Sequence, residues 1–154
     1  MKQLLTPGRA ATFLVTVLLA TIAPAGDEAL DDETKARLAK ADAGDDQIDI
    51  AAYPDEIKAN YRTFKSKCSQ CHTLARPVNS DYALPSEWSR YVKRMMRKPG
   101  SGIGRSDAKK IYEFLAYDSS VRKKELQGSK LEKLTPKEKK EDEEKIAELL
   151  SKSK

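Results

Sequence analysis

The sequence predicts a small all-α protein. Three segments, starting near residues 54, 85 and 106, place apolar residues at helical spacing, and none alternates apolar and polar residues as a strand does. The chain has 154 residues, so a single domain is the default expectation. Phe, Trp and Tyr make up only 6% of it, which is little for a chain that must fill its own core. We therefore expect a bound group to occupy part of the interior.

The first predicted helix begins at Pro54 and leads into the two cysteines. Proline suits the first helical position, and the two acidic residues after it suit the positive end of the helix dipole. Apolar residues then recur at steps of four, three and four, and so share one helix face. They are Ile57, Tyr61, Phe64 and Cys68. The face that buries Phe64 therefore also presents Cys68.

The second predicted helix spans residues 85–98 and ends where Pro99 follows. Its apolar sector consists of Trp88, Val92 and Met95, with Tyr91 and Met96 on the flanks. The third predicted helix starts with Ser106 as its N-cap. Its stripe has the spacing of a helix packed on one side. That stripe is formed by Ala108, Ile111, Tyr112, Leu115 and Ala116.

The counts of metal-binding residues exclude several classes of protein. One His and two Cys cannot supply a four-ligand Cys/His zinc centre or a bis-histidine metal site within one chain. Two Cys also allow at most one disulfide, so a disulfide-rich scaffold is excluded.

The N-terminus is typical of a secretory signal peptide over residues 1–25. Lys2 and Arg9 precede an apolar run that ends in Ala-Pro-Ala, and we expect cleavage after Ala25. The alternative is an uncleaved membrane anchor, but the run is shorter than the roughly 20 apolar residues that span a bilayer. After cleavage no stable membrane insertion is expected, and the protein should be periplasmic.

Charge divides the rest of the chain into three parts. Residues 26–52 hold nine acidic and three basic residues and form an acidic leader, expected to be mobile. Residues 53–120 hold the three helices. Residues 121–154 form a Lys/Glu-rich tail that is expected to be solvated and partly disordered. The alternative for the tail is a docked helix after Pro136, which has apolar residues at helical spacing.

The chemistry is concentrated in the sequence Cys68-Ser69-Gln70-Cys71-His72, which is the C-x-x-C-H attachment motif of c-type haem. This spacing lets two thiols reach the two vinyl groups on one porphyrin edge, while the histidine turns beneath the ring to ligate iron. Three other uses compete: a small-loop disulfide, a thioredoxin-like redox pair and a zinc site. Each fits less well, because the loop is very short, a βαβ context is absent and ligands are too few.

The segment 53–120 resembles the small monohaem class I c-type cytochromes, with a helix leading into CSQCH and a last helix carrying IYEFL. The resemblance implies an all-α domain wrapped around one covalently attached haem c, with charged, flexible flanks outside the family pattern. It also implies that the first and last helices pack together, with Tyr61 and Phe64 near Ile111, Tyr112 and Leu115.

The sixth iron ligand is expected to be methionine, because class I cytochromes use His/Met ligation and His72 is the only histidine. Met95 and Met96 are the only methionines outside the signal peptide, and Met95 lies nearer the apolar sector of its helix. Met96 is the alternative ligand, and core packing is the other role open to both. In the family this methionine usually lies in a loop, whereas here both end a helix.

Three further residues have possible roles at the haem. Arg76 and Trp88 are possible contacts of the haem propionates. The alternative for Arg76 is a solvated cation, and the alternative for Trp88 is a side chain that only packs in the core. Pro77 is expected to shape the turn whose carbonyl orients His72.

The predicted function is that of a periplasmic one-electron carrier rather than an enzyme. Basic residues near the motif should steer it to redox partners with acidic docking surfaces, and a nucleic-acid partner is not expected. They are Lys65, Lys67, Arg76, Arg90, Lys93, Arg94, Arg97, Lys98 and Arg105. The alternatives are a cytochrome subunit of a larger dehydrogenase or reductase, and a haem sensor or peroxidase-like protein with an open distal site.

Overall fold

The computed structural model describes residues 31–152, and in this range the chain forms helices and no strand. The all-α prediction is confirmed. The helices are α1 (Asp32–Asp42), α2 (Asp55–Cys68), α3 (Ala75–Val78), α4 (Pro85–Met96), α5 (Arg105–Arg122), α6 (Lys124–Leu131) and α7 (Pro136–Ser151). None of these helices has the length and apolar character needed to cross a membrane. The predicted signal peptide, residues 1–25, lies outside the described residues.

The ends of the predicted helices agree with the structure to within a few residues. α2 starts one residue later than predicted, because Pro54 is its N-cap. α5 starts earlier, and its N-cap is Gly104, so the N-cap predicted at Ser106 is wrong. The reason is the third helical residue, Asp107, whose carboxylate accepts the Gly104 backbone N–H at 3.3 Å. Lys67 of α2 holds the same carboxylate at 3.2 Å.

α5 is the central helix of the fold, and the prediction that it packs on one side only is wrong. Every residue from Glu113 to Ser120 is buried, because α2, α4, α6 and α7 all pack against this helix. Phe114, which the predicted stripe omitted, is fully buried. Its ring centroid lies 4.9 Å from that of Tyr61 and 5.1 Å from that of Phe64. The α2–α5 pairing that the family resemblance implied is therefore present.

Buried polar side chains on α5 are all paired. Tyr53 donates its hydroxyl to Asp118 at 2.8 Å, and Arg122 donates to the same carboxylate. Asn60 donates to Glu113 at 3.2 Å. Within residues 31–152 no buried side-chain nitrogen or oxygen lacks a partner. Polar residues can therefore occupy the middle of this small core at little cost.

The C-terminal tail is folded, so the prediction of a partly disordered tail is wrong and the docked-helix alternative is correct. Leu149 of α7 is 3% exposed and belongs to the core cluster. Asp142 of α7 is 1% exposed and caps the start of α4, accepting the Ser86 backbone N–H at 2.9 Å and its hydroxyl at 2.7 Å. One apolar anchor and one buried carboxylate thus hold a helix whose composition resembles that of a disordered segment.

The described part of the acidic leader is also ordered, and its predicted mobility is wrong for residues 31–52. Ala41 and Ile48 are buried, and Ile48 belongs to the core cluster. The N-cap of α1 is Asp31, whose carboxylate accepts the Thr34 N–H at 2.7 Å. Acidic composition therefore did not prevent folding here, because a few apolar residues of the leader reach the core.

We expect Asp142→Ala to lower the free energy of unfolding by about 2 kcal/mol, since it removes a helix cap and leaves two partly buried donors on Ser86 unpaired. Urea denaturation followed by circular dichroism measures this change. Glu141→Ala is the matched control, because Glu141 is exposed on the same helix and its loss should change stability by less than about 0.5 kcal/mol. Equal stability of the two variants would contradict the role of Asp142.

Candidate functional site

A cavity of about 900 Å³ lies beside the CSQCH segment. Sites for cofactors and drug-sized ligands usually measure about 300–1,000 Å³, so this is a large cavity for a small protein. Its walls come from α1, the end of α2, the segment 71–82 and the end of α4. Cys68, Cys71, His72 and Met95 all contribute to the lining. The structure therefore brings together the four residues that the sequence singled out for haem attachment and ligation.

The two cysteines are both free thiols, so no disulfide closes the short loop between them. Cys68 is the last residue of α2 and is buried, whereas Cys71 lies in the following turn and is exposed. Burial, and to a smaller extent the neighbouring Cys71, raises the pKa of the Cys68 thiol to about 12. Redox-active cysteines have lowered pKa values, so this environment disfavours a thioredoxin-like pair.

His72 is half-buried at the cavity and is oriented by the residue that follows it. Its Nδ1 lies 2.8 Å from the carbonyl oxygen of Thr73. Because a carbonyl oxygen only accepts, Nδ1 is the protonated nitrogen and donates this bond, which leaves Nε2 with a free lone pair. The orienting carbonyl is thus that of Thr73, and Pro77, which was expected to shape the turn that carries it, lies buried in α3 four residues further on. Such a bond fixes the tautomer that a metal ligand requires.

The two methionines line different cavities. Met95 lines the cavity, on the last turn of α4. Met96 instead lines a second, smaller groove together with Val92, Ala108 and Tyr112. Consecutive residues on a helix point about 100° apart, so only one of the pair can face the cavity. Of the two candidates for the sixth ligand, the position of Met95 is the suitable one.

Aromatic side chains form the apolar wall near Met95. Tyr91 of α4 is buried, and its ring centroid lies 5.6 Å from that of Tyr82. Burial also raises the pKa of Tyr91 well above its ordinary value, so its phenol stays protonated. Tyr82 was not predicted to line the site, because it lies in the loop before α4, where no helical period marks a side chain as inward-facing. The available signal for Tyr82 was its closeness in sequence to Trp88, in a segment with few aromatic residues.

The two possible propionate contacts have different surroundings. Arg76 lines the cavity, but its guanidinium already makes a bidentate pair with Asp42 of α1, at 2.9 and 2.5 Å. This pair lowers the pKa of Asp42 and raises that of Arg76. Trp88 is 1% exposed and does not line the cavity, and its indole N–H donates to the Ser119 hydroxyl at 2.8 Å. The prediction that Trp88 contacts a propionate is therefore wrong, and the alternative that it packs in the core is correct.

The cavity is bordered by positive charge. Its lining contains six basic side chains and one acidic one, Asp81. The basic ones are Arg37, Lys40, Lys67, Arg76, Arg94 and Lys98. Of the predicted basic residues, Lys65, Arg90, Lys93, Arg97 and Arg105 do not line it. Arg37 and Lys40 were missed because the leader was interpreted as acidic and mobile, although both lie on α1.

The lining fits the requirements of a c-type haem. It has two thiols in one segment, an imidazole nitrogen with a free lone pair, a thioether sulfur, an apolar interior and cations suited to the carboxylates on the porphyrin edge. Among residues 31–152 no group of three or more His, Cys, Asp or Glu side chains is placed to hold a metal ion without a cofactor. Comparison of the chain with protein-family models, with curated proteins and with solved structures finds no match.

Proposed function

We propose that this protein is a periplasmic electron carrier with one covalently attached haem c. In this proposal Cys68 and Cys71 form the thioether links, His72 is the proximal iron ligand and Met95 is the distal one. The observation that carries the proposal is the single cavity lined by all four side chains. Three of them lie within five residues of sequence, whereas Met95 reaches the cavity only because α4 brings it there.

Each of these residues has a separate task. The two thiols hold the cofactor at the end of α2, and the Thr73 carbonyl keeps His72 Nε2 available for iron. Met95 would supply the second protein ligand to the iron, which would leave no iron site for a substrate and would favour electron transfer over catalysis. A haem held in this way supplies reversible one-electron exchange between its ferrous and ferric states. The protein contributes ligand identity, burial and an edge for docking.

The basic side chains around the cavity suit partners with acidic docking surfaces. Such charge raises the rate of encounter at low salt and loses its effect as ionic strength rises. Export through the signal peptide of residues 1–25 would deliver the protein to an oxidising compartment, where methionine ligation gives a suitably high reduction potential. These features support the proposed periplasmic location and the proposed acidic partners.

Co-expression with haem-attachment machinery tests the proposal. We expect the purified protein to stain for haem after denaturing electrophoresis, because thioether links survive denaturation. The double variant Cys68→Ser with Cys71→Ser should lose this stain completely. Met95→Ala is the matched control, since it removes a ligand but no covalent link and should keep the stain.

Two results would contradict covalent attachment at this motif. One is wild-type protein without haem stain when the attachment machinery is active. The other is a double serine variant that still stains as strongly as the wild type.

A further inference from the structure

Helix α1 presents an apolar stripe to the cavity. Thr34, Leu38 and Ala41 are spaced four and three residues apart and all line it. Most of the other side chains of this 11-residue helix are charged. A helix this short is marginal in water, so its stability depends on what its apolar stripe packs against. Ala41 is buried, but Leu38 is only half-buried and borders the cavity.

The C-terminal end of α1 is fastened to α3, the element that follows His72. The Arg76–Asp42 pair joins the two helices. Asn79, just after α3, donates its side-chain amide to the carbonyl oxygens of Asp45 at 2.8 Å and Ala75 at 2.9 Å. The chain passes so close here that a Cβ at Gly44 would collide with this amide. The end of α1 therefore has a fixed position relative to the CSQCH segment.

The remainder of α1 runs along the cavity with few other contacts. Among the described helices, α3 is the one with which α1 packs extensively. Towards its N-terminal half, a 3.5 Å contact between Arg37 and Asp81 connects it to the loop before α4. Both of those side chains are about half exposed, and an ion pair of that kind contributes little to stability. Leu38 therefore lies on the part of α1 that borders the cavity and has few contacts with the other helices.

We propose that α1 is a wall of the haem-binding site, with Leu38 packing against the porphyrin and the helix shielding it from water. This inference rests on the proposed function, because the packing partner of Leu38 is the cofactor. It assigns haem-binding residues to the leader, outside the segment that resembles class I cytochromes. The Asp42–Arg76 pair then holds this wall in place rather than binding a propionate.

The test compares two variants that add the same charge to the same helix. Leu38→Glu places a carboxylate on the cavity side, and Ala36→Glu places one on the exposed side. Both are made as full-length, haem-loaded protein, and trypsin cleavage at the basic residues of α1 is followed by mass spectrometry. We expect Leu38→Glu to be cut about tenfold faster than Ala36→Glu, because losing the burial of one leucine raises the open population by about that factor.

The reduction potential gives a second readout. Water at the haem favours the more highly charged ferric state, so Leu38→Glu should have a lower midpoint potential than Ala36→Glu. Leu38→Ala, a milder change, should shift cleavage and potential in the same directions. Equal cleavage rates and equal potentials in the two glutamate variants would overturn the proposal. Absence of haem stain in every form, including the wild type, would instead overturn the proposed function.

Discussion

Replacement of Met95 by alanine is expected to abolish the sulfur-to-iron charge-transfer band of the oxidised protein. The thioether would be missing from the side of the cavity where α4 ends, and no other methionine lines that cavity within residues 31–152. Loss of the sulfur ligand should lower the reduction potential by on the order of 0.1 V, because axial ligands are a main determinant of haem potentials. Reduced Met95→Ala protein should also bind carbon monoxide rapidly, whereas the wild type should resist it. Absorption spectroscopy and a redox titration measure all three effects.

Met96→Ala is the matched control for this prediction. Met96 is the next residue on the same helix but lines the separate groove beside Ala108 and Tyr112. Its removal should leave the band, the potential and the carbon monoxide resistance unchanged. A band that persists in Met95→Ala would rule Met95 out as the ligand. Loss of the band in Met96→Ala alone would assign that role to Met96.

Phe114→Ala is expected to give the largest loss of stability, about 3–5 kcal/mol in the free energy of unfolding. Phe114 is 0% exposed and its ring contacts those of Tyr61 and Phe64, at the centre of the α2–α5 packing. Its truncation leaves a cavity that the surrounding helices cannot fill without shifting α2, the helix that carries Cys68. Urea denaturation of the haem-loaded protein measures the change.

Two further substitutions at positions on α5 serve as controls for the Phe114→Ala measurement. Lys110→Ala removes an exposed side chain of the same helix and should change stability by less than about 0.5 kcal/mol. Phe114→Leu keeps most of the apolar volume and should cost clearly less than Phe114→Ala. A loss below about 1 kcal/mol in Phe114→Ala would contradict its place at the centre of the core.

Local sequence patterns predicted the helices whose signals lie within one segment. Proline marks the start of α2 and of α4, and the repeat of apolar residues marks their buried faces. The burial of α5 on all sides was not predictable, since it depends on α6 and α7 folding against it. Those helices are held by a few buried groups in a background of Lys and Glu: Gln127 on α6, and Asp142 and Leu149 on α7. Composition averages over such single residues and therefore indicated disorder.

In the candidate site, too, local features were predictable and contacts between distant segments were not. Cys68, Cys71 and His72 lie within five residues of the chain, so their motif is visible in the sequence alone. Met95 was favoured from its helix phase, and the structure places it in the cavity. The Arg76–Asp42 pair joins residues 34 positions apart, and nothing local links them. The wall formed by α1 was missed for the same reason.

The cap that Asp142 provides also makes the start of α4 depend on a segment that is synthesised much later. Ser86, at the start of α4, receives this cap from a residue 56 positions further along the chain. A polypeptide that is synthesised from its N-terminus therefore presents Cys68 and Cys71 well before the contact between Asp142 and Ser86 can form. Under the proposed function, an attachment enzyme would reach both thiols during that interval. α4 packs mainly against α5 and gains its final contacts only after α7 has been synthesised, so the wall of the cavity that Met95 lines is completed last.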